Sequence, residues 1–110
     1  MATPVLVGGA AGVTNTAIQV RGSACDVVAF HIFNPSAAIA FVQFFDNLEA
    51  PTVGTTVPIL SIGLNTLAAA DNDVPYNISF LRGLWVAATT TAGGNGAPAT
   101  NLNVNLVVAP

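Results

Sequence analysis

Two long apolar runs, separated by the break Asn34-Pro35-Ser36, constrain the fold of this chain more than any other feature. Alternate residues of a β-strand point to opposite faces. In the first run both sets are mostly apolar, with Val28, Phe30 and Ile32 on one face and Val27, Ala29, His31 and Phe33 on the other. In the second run Ala38, Ala40, Val42 and Phe44 oppose Ile39, Phe41 and Phe45, with Gln43 as the polar interruption. Both faces therefore need cover. A second sheet of the same chain supplies one, and the other comes more easily from another subunit.

The charge content excludes two classes of partner. Only 6% of the 110 residues are charged, against about 25% in a typical globular protein. Lysine is absent, Arg21 and Arg82 are the only cations, and the net charge is −3. Because nucleic acids and anionic lipid headgroups are bound through basic patches, we expect neither a nucleic-acid partner nor a membrane.

The distribution of apolar residues argues against membrane insertion and secretion. Glycine and proline interrupt every apolar run before it reaches the roughly 20 residues of a spanning helix. Residues 1–15 lack the basic start of a signal peptide, and glycines break their apolar stretch. We therefore expect a protein made in the cytoplasm without a signal peptide. A single cysteine, Cys25, forms no internal disulfide and is expected to be a small buried apolar residue.

The remaining patterns predict short strands and no convincing helix. Beside the central pair, the predicted strands are Thr16–Arg21, Pro58–Leu64, Tyr76–Leu81, Gly83–Thr90 and Asn101–Val108. Residues 65–70 and 89–100 are predicted loops. Residues 1–15 are either an edge strand or a mobile arm that orders on a neighbour. With seven or eight strands, residues 16–110 are predicted to form a single antiparallel β-sandwich domain, of the jelly-roll type.

No set of residues names a reaction. His31, the single histidine, has no acidic residue at a neighbouring strand position and no thiolate cluster near it, so neither a triad nor a zinc site is predicted. Asp71-Asn72-Asp73 lacks the ligand spacing of an EF-hand calcium loop, and Asp46 and Glu49 flank a turn rather than a cleft. We therefore expect a protein that is not an enzyme and that uses no cofactor or metal.

Five side chains are candidates for contacts with a partner. His31 and Phe33 belong to the first apolar run, and Phe41 and Phe45 to the second. Trp85 and Tyr76 are aromatic residues of the kind that form a sugar-stacking platform. Trp85 lies between Leu84 and Val86 in an apolar strand, however, a position more typical of a core or an interface. The predicted subunit or partner interface consists of His31, Phe33, Phe41, Phe45 and Trp85.

Two segments resemble a known group of proteins. Residues 41–64, FVQFFDNLEAPTVGTTVPILSIGL, and residues 80–91, FLRGLWVAATTT, are similar to small, very apolar β-proteins that tailed bacteriophages encode as virion components. The shared pattern is an aromatic strand that ends near Asp46-Asn47, the Ala50–Thr55 loop, an apolar strand that begins at Pro58, and the segment Gly83–Ala87. The resemblance implies no catalytic residue.

The resemblance implies a capsid decoration (cement) protein on the virion surface. Such proteins are homo-oligomers, usually trimers, with sandwich or jelly-roll folds, and their partner is the major capsid protein. A low charge suits this role, because few long side chains lose rotamer freedom on packing and weak contacts add up over many symmetric copies. The alternative is a head-fibre or tail-appendage module that recognises a host surface or a glycan through Trp85 or the 89–100 loop.

Overall fold

The structure, a computed structural model, describes residues 2–72 and 77–110. These residues form two antiparallel sheets of five and four strands, so the predicted β-sandwich is confirmed. A short 3₁₀ turn, Gly9–Ala11, follows the first strand. The strands are β1 (Thr3–Val7), β2 (Ile18–Arg21), β3 (Cys25–Phe33), β4 (Ala40–Asp46), β5 (Leu60–Leu64), β6 (Ala69–Asp71), β7 (Ile78–Phe80), β8 (Leu84–Thr89) and β9 (Asn103–Ala109).

The strand order is that of a jelly roll. The five-stranded sheet has the order β1-β9-β3-β6, with β7 also paired to β3, and the four-stranded sheet has the order β2-β8-β4-β5. With β6 and β7 taken as one interrupted strand, the chain forms nested pairs: β1 with β9, β2 with β8, β3 with β6/β7, and β4 with β5. Such nesting arises when one long hairpin folds over into two sheets.

The core lies between the sheets and follows the predicted alternation closely in β4 and β9. Phe44 is fully buried, and its ring lies 6.5 Å from that of Phe80 across the two sheets. On β9 every second residue is buried, and the intervening asparagines are exposed. The buried β9 residues and the residue before them, Leu102, Val104, Leu106 and Val108, form part of one apolar cluster with Ala40, Val42 and Phe44 of β4.

A β-bulge in β3 corrects the predicted faces of the first apolar run. Val27 pairs with Val108, and Ala29 pairs with Val107, so two steps along β3 match one step along β9. The extra residue, Val28, reverses the alternation. Val27 therefore faces the core together with Ile32, whereas the simple period had placed them on opposite faces. Nothing in the run's composition marks the bulge, because the residues on both sides of it are apolar.

Two further segments depart from the simple pattern. The predicted loop at residues 65–70 leads into β6, which begins at Ala69 and pairs with the end of β3. Residues 3–7 form an edge strand of the five-stranded sheet, in which Val7 is buried. Tyr76, the predicted start of a strand, and Asp73 lie outside the described residues. No helix within the described part of the chain is long and apolar enough to span a membrane.

Candidate interaction surfaces

The five predicted contact residues lie on opposite sides of the sandwich. His31 and Phe33 belong to β3 and face outward from the five-stranded sheet. Phe41, Phe45 and Trp85 face outward from the four-stranded sheet, where Phe45 of β4 lies opposite Trp85 of β8. The structure therefore places Phe45 beside Trp85, puts Phe41 further along the same face, and separates all three from His31 and Phe33. The two surfaces have different environments.

The outer face of the four-stranded sheet is buried by the chain itself. Phe45 and Ala87 have 0% exposure, although neither belongs to the core cluster between the sheets. Gln43 and Thr89, on the same outer face, are also 0% exposed. Because these values come from one chain alone, every atom that covers these residues belongs to the same molecule. This face is a second buried layer within the monomer.

Two loops form this cover, and we call them together the loop layer. They are residues 47–59, between β4 and β5, and residues 90–102, between β8 and β9. The loops leave opposite ends of the sheet and meet, since a Cβ built on Gly54 would lie 2.7 Å from the Cβ of Asn95. Gly54 also has φ +94°, which favours glycine, so both space and backbone require this residue. Pro51 and Pro98, one in each loop, are buried.

Gln43 ties the second loop to the sheet. Its side-chain amide donates to Thr89 Oγ1 and, at 3.3 Å, to the backbone oxygen of Gly94 in the loop layer. Thr89 Oγ1 in turn donates to the backbone oxygen of Thr91 at 2.7 Å. The polar interruption of the second apolar run thus satisfies loop carbonyls that would otherwise be buried without a donor. Two other buried side-chain oxygens, Gln43 Oε1 and Ser61 Oγ, have no hydrogen-bond partner among the described residues.

Trp85 and Phe41 occupy the margins of the loop layer. The indole Nε1 of Trp85 donates to the backbone oxygen of Asn47 at 3.1 Å, and the ring is half-buried. Phe41 is half-buried and lies so close to Gly63 of β5 that a Cβ there would approach its Cε2 to 2.7 Å. Both rings retain some surface. Phe45 retains none, so its expected role as a partner contact needs correction: its cover is the loop layer, not another subunit.

The described residues provide no comparable cover for the outer face of the five-stranded sheet, and we call it the open face. A depression of about 340 Å³ lies on it between β1, β9 and β3. Its outward-facing lining residues are Pro4, Leu6, Ala29, His31, Asn105 and Val107. Leu6 is 48% exposed, and none of these six side chains is acidic or carries a permanent positive charge. The surface is therefore shallow, weakly polar and accessible.

His31 is one of the two polar side chains, with Asn105, that line the depression on the open face. Its Nδ1 lies 3.6 Å from Asp71 Oδ2 on the neighbouring strand β6, and both side chains are more than half exposed, at 55% and 59%. An exposed pair of this kind contributes little to stability. Its acidic partner was missed in the sequence because Asp71 lies 40 residues away, in a segment where no strand was predicted. Phe33, two residues further along β3, is half-buried on the same side.

The described residues bring together no metal-binding group. Among residues 2–72 and 77–110, no three His, Cys, Asp or Glu side chains are close enough to hold an ion. Asn72 Oδ1 accepts a hydrogen bond from the Phe30 backbone N–H at 2.9 Å, so this side chain joins β3 to the segment after β6. The third residue of the acidic triplet, Asp73, lies outside the described residues. Burial raises the pKa of the Cys25 thiol, which is unfavourable for a reactive thiolate.

Asp46 has a structural role at the end of β4. Its carboxylate accepts hydrogen bonds from the backbone N–H groups of Leu81, Arg82 and Gly83 at 3.0, 2.8 and 3.3 Å. Desolvation by the surrounding protein raises the pKa of this carboxyl, but the three hydrogen bonds and the Arg82 charge outweigh it and hold the pKa below its ordinary value. Asp46 thus closes the turn between β7 and β8.

Comparison of the chain with protein-family models, curated proteins and solved structures finds no match. The features that bear on function are therefore the strand order, the two outer faces and the resemblance of residues 41–64 and 80–91.

Proposed function

We propose that this protein is a structural component of a virion, a decoration or cement protein that binds the outer surface of a capsid and associates with copies of itself. The major capsid protein is its partner. It acts without a catalytic residue, a cofactor or a metal, and it reaches the capsid surface after synthesis in the host cytoplasm. We infer a capsid as the binding partner because the two segments resemble phage virion proteins.

The observation that carries the proposal is the open face. The centres of protein interfaces are depleted in charge, because burying a charged group costs free energy unless it is paired. The open face presents Leu6, Val107 and Ala29 on three adjacent strands, so its backbone is already held in place by the sheet. Binding a flat protein surface here would order few side chains.

The strand order is consistent with this role. Jelly rolls occur in viral capsid proteins, in lectins and in cupins. A fold does not define a function, so the site has to separate these classes. With one histidine and no cluster of three ligating side chains in the described part of the chain, a metal site of several histidines cannot be built there. Capsid-type and lectin-type binding are then the two classes to compare.

Binding to undecorated capsids of the parent virus tests the proposal. Purified protein should bind them saturably, and Leu6→Glu should weaken this binding because it places a charge within the proposed contact. Leu81→Glu is the matched control, since Leu81 is 79% exposed in the turn between β7 and β8. Absence of saturable capsid binding would refute the proposal. If both variants lose capsid binding equally, the open face is not the contact surface.

A glycan- or host-binding module is the second candidate, and the depression on the open face favours it. The side chains of His31 and Asn105 supply polar groups beside apolar Pro4 and Val107, a combination typical of small-ligand sites. The 90–102 loop favours this candidate less, because Gln43 and Gly54 hold it against the sheet. A glycan array separates the two functions: a strong sugar signal that His31→Ala abolishes, without capsid binding, would replace the first proposal.

The number of copies that bind together on the capsid rests on the resemblance alone, which implies a trimer. The geometry of the monomer supports self-association without specifying three-fold symmetry. Mass measured by light scattering on the purified protein would decide between two, three or more copies.

A further inference from the structure

The four edge strands of the two sheets differ in how they are protected. An edge strand exposes unpaired backbone groups, and proteins prevent unwanted pairing with proline, charge, bulges or short strands. In the five-stranded sheet, β1 contains Pro4, and the other edge is divided into β6 and β7, with the charged Asp71. In the four-stranded sheet, β2 carries Arg21 and a register shift between Gln19 and Arg21. Three edges are thus protected.

β5 has none of these devices. Its sequence, Leu60-Ser61-Ile62-Gly63-Leu64, contains no charge and no proline, and its register against β4 is continuous. Among the described residues, β4 is the only strand that pairs with it. Leu60 and Ile62 pack against the core but remain partly exposed at this edge. A strand added beside β5 would complete their burial.

The exposed apolar residues next to β5 lie at both of its ends. Val57 and Ile59, which precede the strand, are 83% and 49% exposed, and Leu67, which follows it, is 67% exposed. In an antiparallel pair of two β5 strands, the start of one strand lies beside the end of the other. Val57 and Ile59 of one copy would then lie beside Leu67 of the second copy, and the same contact would occur twice.

The β5 sequence is also complementary to itself. An antiparallel pair centred on Ile62 places Leu60 opposite Leu64 and Ser61 opposite Gly63. Large apolar residues then meet on the core side, and small residues meet on the outer side. Such directly opposed pairs are the unit of sheet stabilisation.

We propose that two copies of this chain pair antiparallel through β5 and join their four-stranded sheets into one continuous sheet of eight strands. The two-fold contact uses both free edges and therefore closes at two copies, which explains how an unprotected edge is tolerated without open-ended aggregation. The pairing goes beyond the proposed function and does not depend on it. Because five residues make a small interface, the dimer should form at micromolar or higher concentration.

Sedimentation velocity over a range of protein concentrations, without capsids, tests this pairing. The wild-type protein should shift from one to two chains as its concentration rises from about 1 µM to about 1 mM. Val57→Lys combined with Leu67→Lys places like charges side by side at both ends of the contact, and should weaken the dimer at least about tenfold. Val57→Lys combined with Leu67→Glu places opposite charges there and should recover most of that loss.

The design separates association from folding. Both double variants replace the same two exposed residues, and both place a charged side chain on the same backbone conformation at position 67. Their monomers should therefore be equally stable in urea unfolding at low concentration. Leu81→Lys adds a charge to an equally exposed leucine away from β5 and should leave dimerisation unchanged. The pairing would be overturned if the wild-type protein stays monomeric. It would also be overturned if neither double variant changes the association, or if Leu81→Lys weakens it to the same extent. Capsid binding is measured separately and has no bearing on this result.

Discussion

Replacing Phe45 tests whether the loop layer, and not a partner, covers the outer face of the four-stranded sheet. The ring is 0% exposed in the single chain, so Phe45→Ala removes a fully buried side chain and leaves a cavity beneath the loops. Substitutions of this kind cost about 3–5 kcal/mol. With an unfolding entropy of about 2.1 cal/mol/K per residue, a chain of 110 residues loses about 4 °C of Tm for each kcal/mol. The expected fall in Tm is therefore about 12–20 °C.

The single tryptophan provides the assay. Trp85 lies opposite Phe45 in the β4–β8 pair, so its fluorescence during urea unfolding reports on this layer. Phe44→Ala, which removes an equally buried ring from the core between the sheets, should cost a similar amount, and Phe41→Ala should cost about half because Phe41 is only half-buried. All three costs should be the same at low and high protein concentration.

The result that would refute this reasoning is a small or concentration-dependent cost at Phe45. A loss below about 1 kcal/mol in dilute protein would mean that the ring is largely exposed in the monomer. A cost that appears only at concentrations where the protein associates would mean that another copy covers the ring. Either result would restore Phe45 to the interface.

Three further predictions concern single contacts. Hydrogen bonds hold the pKa of Asp46 below its unfolded value of about 3.9, so their stabilisation is present above that pH and is lost as pH falls through the folded pKa. Asp46→Asn should therefore remove roughly 1 kcal/mol of the pH dependence of stability, measured by urea unfolding between neutral and acid pH. Identical pH profiles for the variant and the wild type would contradict this. Leu67 has φ 54°, a conformation that asparagine tolerates better than leucine, so Leu67→Asn should stabilise the dilute protein by roughly 0.5–1 kcal/mol, and a lower Tm would count against this. Gly63→Ala forces a Cβ against the Phe41 ring and should cost roughly 1–3 kcal/mol, whereas Gly22→Ala, whose nearest neighbour would be 3.4 Å away, should be almost neutral; equal effects would argue against the close approach.

The sequence predicts the fold well where alternation is uninterrupted. The pattern of β9 identifies its buried face residue by residue, and β4 separates its two apolar faces in the same way. The prediction fails in β3, because a bulge at Val28 changes which residues face the core, and apolar residues on both faces hide the change. Strand β6 was not predicted, since its three residues gain their structure from pairing with β3 rather than from their own pattern.

The contact surfaces are less predictable than the fold, because apolar composition shows that a face is covered but not by what. Phe45 and Phe33 both belong to apolar runs and both point away from the core. Phe45 nevertheless lies beneath the loop layer, whereas Phe33 lies on the accessible side of the sandwich. The difference comes from loops 47–59 and 90–102, whose glycines, threonines and prolines contain no periodic pattern. Their fixed position depends on tertiary contacts such as Gly54 with Asn95 and Gln43 with Gly94.

The loop layer also changes what the low charge of the chain requires. From a composition of 53% hydrophobic and 6% charged residues, we expected the second face of the apolar strands to be covered by another subunit. Gln43, Thr89 and the loops that they hold cover one of these faces within the monomer. The partner contacts that we propose are thereby confined to the accessible side of the five-stranded sheet and to the β5 edge. These two surfaces lie on different sheets, so a chain can bind a large protein surface with one and a second copy of itself with the other.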